Sequence, residues 1–105
     1  MITGPDWFGQ DVDDLTDQYL KQSEARMDAF LAQLSKTTNA IAANPYSGSK
    51  QYGELLGLPG LRHKSFRIGT SEYLVFYNTH NGGTSMRRVL ESRSDIVTKL
   101  SVLGP

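Results

Sequence analysis

Apolar residues recur along this chain with two different periods, and the change from one to the other falls near residue 60. In the first part Val12, Leu15 and Tyr19 stand at i, i+3 and i+7 with Leu20 alongside, the stripe of an amphipathic helix. Asp11 reads as its cap and Asp13 and Asp14 as first-turn acids that suit the helix dipole, with an end near Lys21. A second helix starts from a Ser23 cap and carries Met27, Phe30, Leu34, Thr37 or Thr38, and Ile41 at nearly helical spacing, widened by Leu31. Asn44-Pro45 stops it, because the residue before a proline is pushed out of the α region. So short a link between the two helices makes them an antiparallel hairpin. Gly4, Pro5 and Gly9 leave room beforehand for only a short edge strand, at residues 1–3 or at Trp7-Phe8.

In the second part the period is that of strands. After a loop at Tyr46-Ser47-Gly48-Ser49 and a single helical turn at residues 53–56, Gly57-Leu58-Pro59-Gly60 turns the chain into a strand at Leu61. Tyr73, Leu74, Val75, Phe76 and Tyr77 are consecutive apolar or aromatic residues, the pattern of a central strand covered on both faces. Residues 62–68 form its hairpin partner, closed by Gly69-Thr70-Ser71. The cluster from Asn78 to Gly83, with its Asn-Gly step, predicts a second hairpin and a strand over 85–91. Met86, Arg88 and Leu90 are then expected on one face of that strand, with Arg87, Val89 and Glu91 on the other. Asp95 caps a short helix over 96–103 that Gly104-Pro105 ends. The fold class is α+β in one domain over 1–105: a short N-terminal strand, an antiparallel helical hairpin packed on a three- to four-stranded antiparallel sheet, and a short C-terminal helix.

Composition narrows the chemistry. The 105 residues include no cysteine, which removes disulfides, thiolate metal sites and cysteine nucleophiles together. No apolar run approaches the roughly 18 residues of a membrane span, and residues 1–6 lack the basic start of a signal peptide, so a soluble, cytoplasmic protein is expected. The formal charge is zero but unevenly spread. Residues 1–59 hold eight acids and four bases, and residues 60–105 hold three acids and seven bases. Such polarity marks an anion-binding face, or else an acidic helical layer neutralising a basic sheet.

The candidate partner- or target-binding residues are therefore the cations of the second part, Arg62, Lys64, Arg67, Arg87, Arg88 and Arg93. Arg62 and Arg88 have a structural alternative, bracing the fold through a helix carboxylate such as Asp14 or Asp17. Metal-free RNA cleavage would need cations such as Arg62, Lys64 and Arg88 with a proton carrier among His63, His80, Tyr77 and Glu91. The residue types permit that chemistry without selecting it, and no catalytic residue is assigned. His63 and His80, without a carboxylate at ligand spacing, make no metal site, and no cofactor is expected. Gly82-Gly83 reads as a turn and not as a phosphate loop. Met27, Leu31 and Leu34 are divided between the core and a groove that accepts a partner's amphipathic segment.

The order of these elements, with the residues at their joints, resembles the ParE branch of the ParE/RelE superfamily of bacterial toxins. The resemblance rests on Asp14-Leu15 with Tyr19, Ala25 to Phe30-Leu31, Ala43-Asn44-Pro45 with Gly48, and Leu58-Pro59-Gly60-Leu61-Arg62. It continues through Tyr73-Leu74-Val75-Phe76-Tyr77 and Arg88-Val89-Leu90 to Asp95-Ile96. Where the family commonly has a His-Gly or His-Ala step and then Arg-Asp, this chain has Glu91-Ser92 and Arg93-Ser94-Asp95. The resemblance implies the toxin of a type II toxin-antitoxin pair, neutralised by a ParD-like antitoxin that uses Met27, Leu31 and Leu34. It implies DNA gyrase as the target, poisoned by binding. A RelE-like member would instead cleave messenger RNA on the ribosome, and a degenerate member would bind its antitoxin without toxicity.

Overall fold

The longest apolar stripe and the doubly apolar strand meet at the centre of the molecule. The computed structural model describes residues 7–81 and 83–101. In chain order these form α1 (Trp7–Gln22), α2 (Glu24–Ala43), a 3₁₀ turn (Pro45–Ser47), α3 (Gln51–Leu56), β1 (Leu61–Ile68), β2 (Ser71–His80), β3 (Gly83–Glu91) and α4 (Ile96–Ser101). The three strands make one antiparallel sheet in the order β1-β2-β3. The architecture is the α+β arrangement expected, with α1 and α2 on one face of the sheet and α3 and α4 on the other.

β2 is central because both of its faces are apolar. Tyr73, Val75 and Tyr77 point to the helical hairpin, where they pack with Tyr19, Phe30, Leu34 and Ile41. Leu74 and Phe76 point the other way and pack with Leu61, Leu90, Ile96 and Leu100. Four rings fasten the hairpin to the sheet: Phe30 lies 5.3 Å from Tyr19, 5.8 Å from Phe66 and 5.7 Å from Tyr73, centroid to centroid. The Tyr19 and Tyr73 hydroxyls meet at 2.7 Å, so two buried polar groups satisfy each other. Ser23 caps α2 as expected, its Oγ accepting from the Arg26 N–H at 3.1 Å. Gly57 ends α3 at φ 66°, a left-handed conformation that favours glycine.

Two expectations change. Helix α1 begins at Trp7 and not at Asp11, so Trp7-Phe8 are helical and form no edge strand; residues 1–3, the other strand candidate, lie outside the described residues. The reason is that Phe8 precedes Val12 by four residues and extends the same stripe into the core, while an interior Gly9 costs only about 1 kcal/mol relative to alanine. Leu20 lies beside the stripe and is 50 % exposed. The sheet has three strands among the described residues, and the terminal helix is described only to Ser101.

The second change is in β3. Phe76 pairs with Arg88, but the next residue of β2, Tyr77, pairs with Met86, so Arg87 is an extra residue in a β-bulge. A bulge shifts the alternation by one position. Met86 consequently joins Val89 on the hairpin side and does not share a face with Arg88 and Leu90.

Replacing Phe30 by alanine removes the ring on which the others converge. The expected loss is about 3–5 kcal/mol, measured as a lower urea midpoint with an unchanged denaturant slope.

Candidate partner-binding site

Of the six candidate cations, Arg88 has the most completely occupied surroundings. Its Nε and Nη2 donate to Asp11 Oδ2 and Oδ1 at 2.9 and 2.8 Å, a bidentate pair in which both residues are buried. Nη1 donates to the Lys99 carbonyl of α4 at 3.0 Å, and the guanidinium lies 5.0 Å from the Trp7 ring. Asp11 Oδ2 also accepts from the Val89 N–H at 3.0 Å, on the outer edge of β3. Arg88 is thus a brace between α1, β3 and α4. Its partner is Asp11, the residue read as a helix cap, and not Asp14 or Asp17, which are exposed.

Arg62 also braces, but with different chemistry. Its Nη1 donates to the carbonyls of Tyr46 and Gly48 at 3.0 and 3.1 Å, and its guanidinium lies 5.3 Å from the Tyr46 ring centre. The loop it holds is fastened twice more. The Tyr77 hydroxyl donates to the Pro45 carbonyl at 2.7 Å and accepts from the Gly48 N–H at 3.0 Å. Ser49 and His63 exchange both backbone hydrogen bonds, at 2.9 and 3.0 Å. Position 48 must be glycine because a Cβ would run into the Tyr77 hydroxyl and the His63 carbonyl. Tyr77 therefore works through its hydroxyl as well as its ring, which a reading of 73–77 as an apolar run does not reveal. Burial pushes that hydroxyl's pKa up, against the weaker opposing effects of the Gly48 bond and Arg62.

His63 lies among rings, 5.6 Å from Tyr52 and 5.3 Å from Phe76, and its Nδ1 is buried without a hydrogen-bond partner. Desolvation lowers its pKa, and the Glu72 carboxylate opposes this less strongly. His80 is exposed in the distal hairpin, its Nε2 within 3.1 Å of Ser85 Oγ.

The remaining cations are not gathered on one surface. Lys64 and Arg67 lie on β1 at opposite-facing register positions, Arg87 is the bulge residue of β3, and Arg93 is exposed in the turn after β3. Arg67 approaches Glu72 to 3.9 Å in an exposed pair, an interaction worth little in water. Lys64, Arg87 and Arg93 have no ion-pair partner among the described residues.

On the outer side of the hairpin, Phe8, Val12, Leu31 and Leu34 border a groove of about 390 Å³ between α1 and α2, with Asp13, Ser35 and Thr38 at its sides. Leu31 is exposed and Leu34 buried at its base, whereas Met27 packs against the core and does not line this groove. Among the described residues no group of His, Cys, Asp or Glu is arranged to hold a metal ion, and no helix is long and apolar enough to cross a membrane.

A family model described as "ParE toxin of type II toxin-antitoxin system, parDE" matches residues 8–96, from the first turn of α1 to the start of α4. No curated protein and no solved structure matches the chain.

Two outcomes follow from the geometry. Replacing Arg88 by glutamine strands the Asp11 carboxylate in the interior and is expected to cost about 3–5 kcal/mol, read as a loss of cooperative thermal unfolding or a large drop in its midpoint. For His63 the folded chain binds a proton less readily than the unfolded chain, whose ordinary value is 6.5. The stability it contributes is complete above that value and declines as pH falls through 6.5 toward the lower folded value. A His63→Phe variant is expected to flatten this part of the profile, measured by urea midpoints from about pH 8 to about pH 5.

Proposed function

We propose that this protein poisons DNA gyrase by binding it, from the premise that the chain belongs to the ParE toxin family of type II toxin-antitoxin systems. A toxin of this family has an antitoxin partner. In this proposal the antitoxin is ParD-like, and its amphipathic segment lies in the groove of Phe8, Val12, Leu31 and Leu34. The apolar floor and polar sides of that groove suit a helix presenting residues at i, i+3 and i+4. The charges open to a target are Lys64, Arg87 and Arg93, which have no ion-pair partner among the described residues, and Arg67, which an exposed pair holds only weakly; they are spread over β1, β3 and the following turn, so the target is met from more than one face. Such a target places the protein's action in the cytoplasm.

Binding is favoured over ribosome-dependent RNA cleavage because the candidate proton carriers are either engaged in the fold or set far apart along the sheet. Acid-base cleavage needs a group within hydrogen-bond reach of the reacting hydroxyl. Here the His63 imidazole sits among rings, the Tyr77 hydroxyl is occupied by Pro45 and Gly48, and His80 and Glu91 stand at opposite ends of the β2-β3 pairing. This supports an action that consists of occupying a surface.

Induced expression without an antitoxin is expected to arrest growth, and the purified protein to inhibit supercoiling by gyrase. Unchanged supercoiling together with cut messenger RNA at translating ribosomes would assign the RelE-type reaction instead, and growth without arrest would identify a non-toxic member. A Leu31→Glu variant is expected to lose its complex with a ParD-like antitoxin on size-exclusion chromatography. Its own stability should move by no more than about 0.5 kcal/mol, as for an exposed site.

A further inference from the structure

Arg62 differs from Arg88 in a way that matters for ligands. No carboxylate pairs with it among the described residues, and its Nε and Nη2 donate to no group among them. The guanidinium is nevertheless immobilised, by two carbonyls on Nη1 and by the Tyr46 ring, which is itself 65 % exposed. A cation held in this way has already lost its rotamer freedom on folding, so a ligand meets it with little further entropic cost. It borders a groove of about 470 Å³ between α3 and the start of β1, which also contains Lys50, Glu54, Leu58 and Pro59.

We propose that this groove receives a carboxylate from a protein partner, an aspartate or glutamate side chain next to an apolar residue. The carboxylate meets the unused Nε and Nη2 of Arg62, the fork geometry that guanidinium offers to paired oxygens. Lys50 adds a second positive charge, and the apolar neighbour lies on Leu58 and Pro59. Tyrosine and arginine are also among the residue types enriched at interface hot spots. Glu54, in the same groove, disfavours the closely spaced charges of a nucleic-acid backbone, whereas a single carboxylate is attracted by the two cations. The inference rests on the reading that the protein acts by engaging other proteins, but not on which protein is the target.

The test is heteronuclear NMR of the isotope-labelled protein, following backbone amides and arginine Nε–H groups. Four probes are titrated: the blocked peptide acetyl-Leu-Asp-Leu-amide, its Asn counterpart, sodium phosphate and a short oligothymidine. Saturable shifts at Gly57, Gly60 and the Arg62 Nε–H are expected with the Asp peptide. The Asn peptide should bind about tenfold more weakly, the difference between a charge-assisted and a neutral hydrogen bond. Arg62→Gln should abolish the response. Because Arg62 also holds the Tyr46–Gly48 loop, Lys50→Gln serves as the second variant and should weaken binding several-fold with an unchanged spectrum elsewhere. Absent shifts at these groups, equal binding of the Asp and Asn peptides, or an unchanged affinity in Lys50→Gln would overturn the proposal. So would tighter binding of oligothymidine or phosphate at the same amides, which would mark a phosphate site. A failed titration leaves gyrase inhibition by the wild-type protein intact, and a failed supercoiling assay leaves the titration intact, so the two readings fail separately.

Discussion

One buried carboxylate organises the edge of this molecule. Asp11 accepts from Arg88 Nε, Arg88 Nη2 and the Val89 amide, so both of its oxygens are occupied. Burying two charges is expensive, and the geometry here is of the kind that offsets it, two short parallel bonds with a third donor on the same carboxylate. The pair also answers the edge problem of a short sheet. The outward amide of Val89 finds a partner, and α1 covers an edge that is otherwise open to pairing with another chain. Through the Lys99 carbonyl the same guanidinium reaches α4, so layers on opposite faces of the sheet are tied to a common point.

A bulge lies one residue away from that point. With Arg87 left out of the pairing, Met86 returns to the hairpin side with Val89, while Arg88 stays opposite Phe76. The register shift lies between Phe76 and Tyr77, which are completely buried on opposite sides of β2. Tyr77 carries its hydroxyl to the loop that ends α2, and Phe76 supports His63 and Tyr52 under α3. A single extra residue on an edge strand therefore accompanies a division of labour between the two cores. One core is closed by rings and a tyrosine pair, and the other lies under a half-buried histidine packed on Phe76 and Tyr52.

Much of this was legible in the residues, and the parts that were not have identifiable causes. The Ser23 cap, the Asn44-Pro45 stop, the turn into Leu61 and the central position of 73–77 all depend on local chemistry, and all four stand where expected. The start of α1 was misplaced because Gly9 reads as a breaker, while the burial of Phe8 that outweighs it is tertiary. Once Asp11 is taken for a cap its role in the interior cannot be seen, and its partner stands 77 residues along the chain. The bulge leaves no mark in a strict two-residue alternation. Arg62 was legible as a brace or a binding residue; it does brace, but through carbonyls, which no side-chain pattern can announce.

The charge polarity of the sequence admitted mutual neutralisation between layers, and the folded chain uses very little of it. Among the described residues, one ion pair joins the acidic helices to the basic sheet, Asp11 with Arg88. Asp13, Asp14 and Asp17 remain exposed on α1, and Lys64, Arg87 and Arg93 keep no carboxylate partner. Exposed charges further apart than a Debye length, roughly 8 Å at physiological salt, are largely screened from one another. Fields of opposite sign on one small surface steer different partners to different places and penalise wrong pairings by like-charge contact. In this molecule those charges are left outside the fold, while the guanidinium that fixes the architecture is kept inside with Asp11.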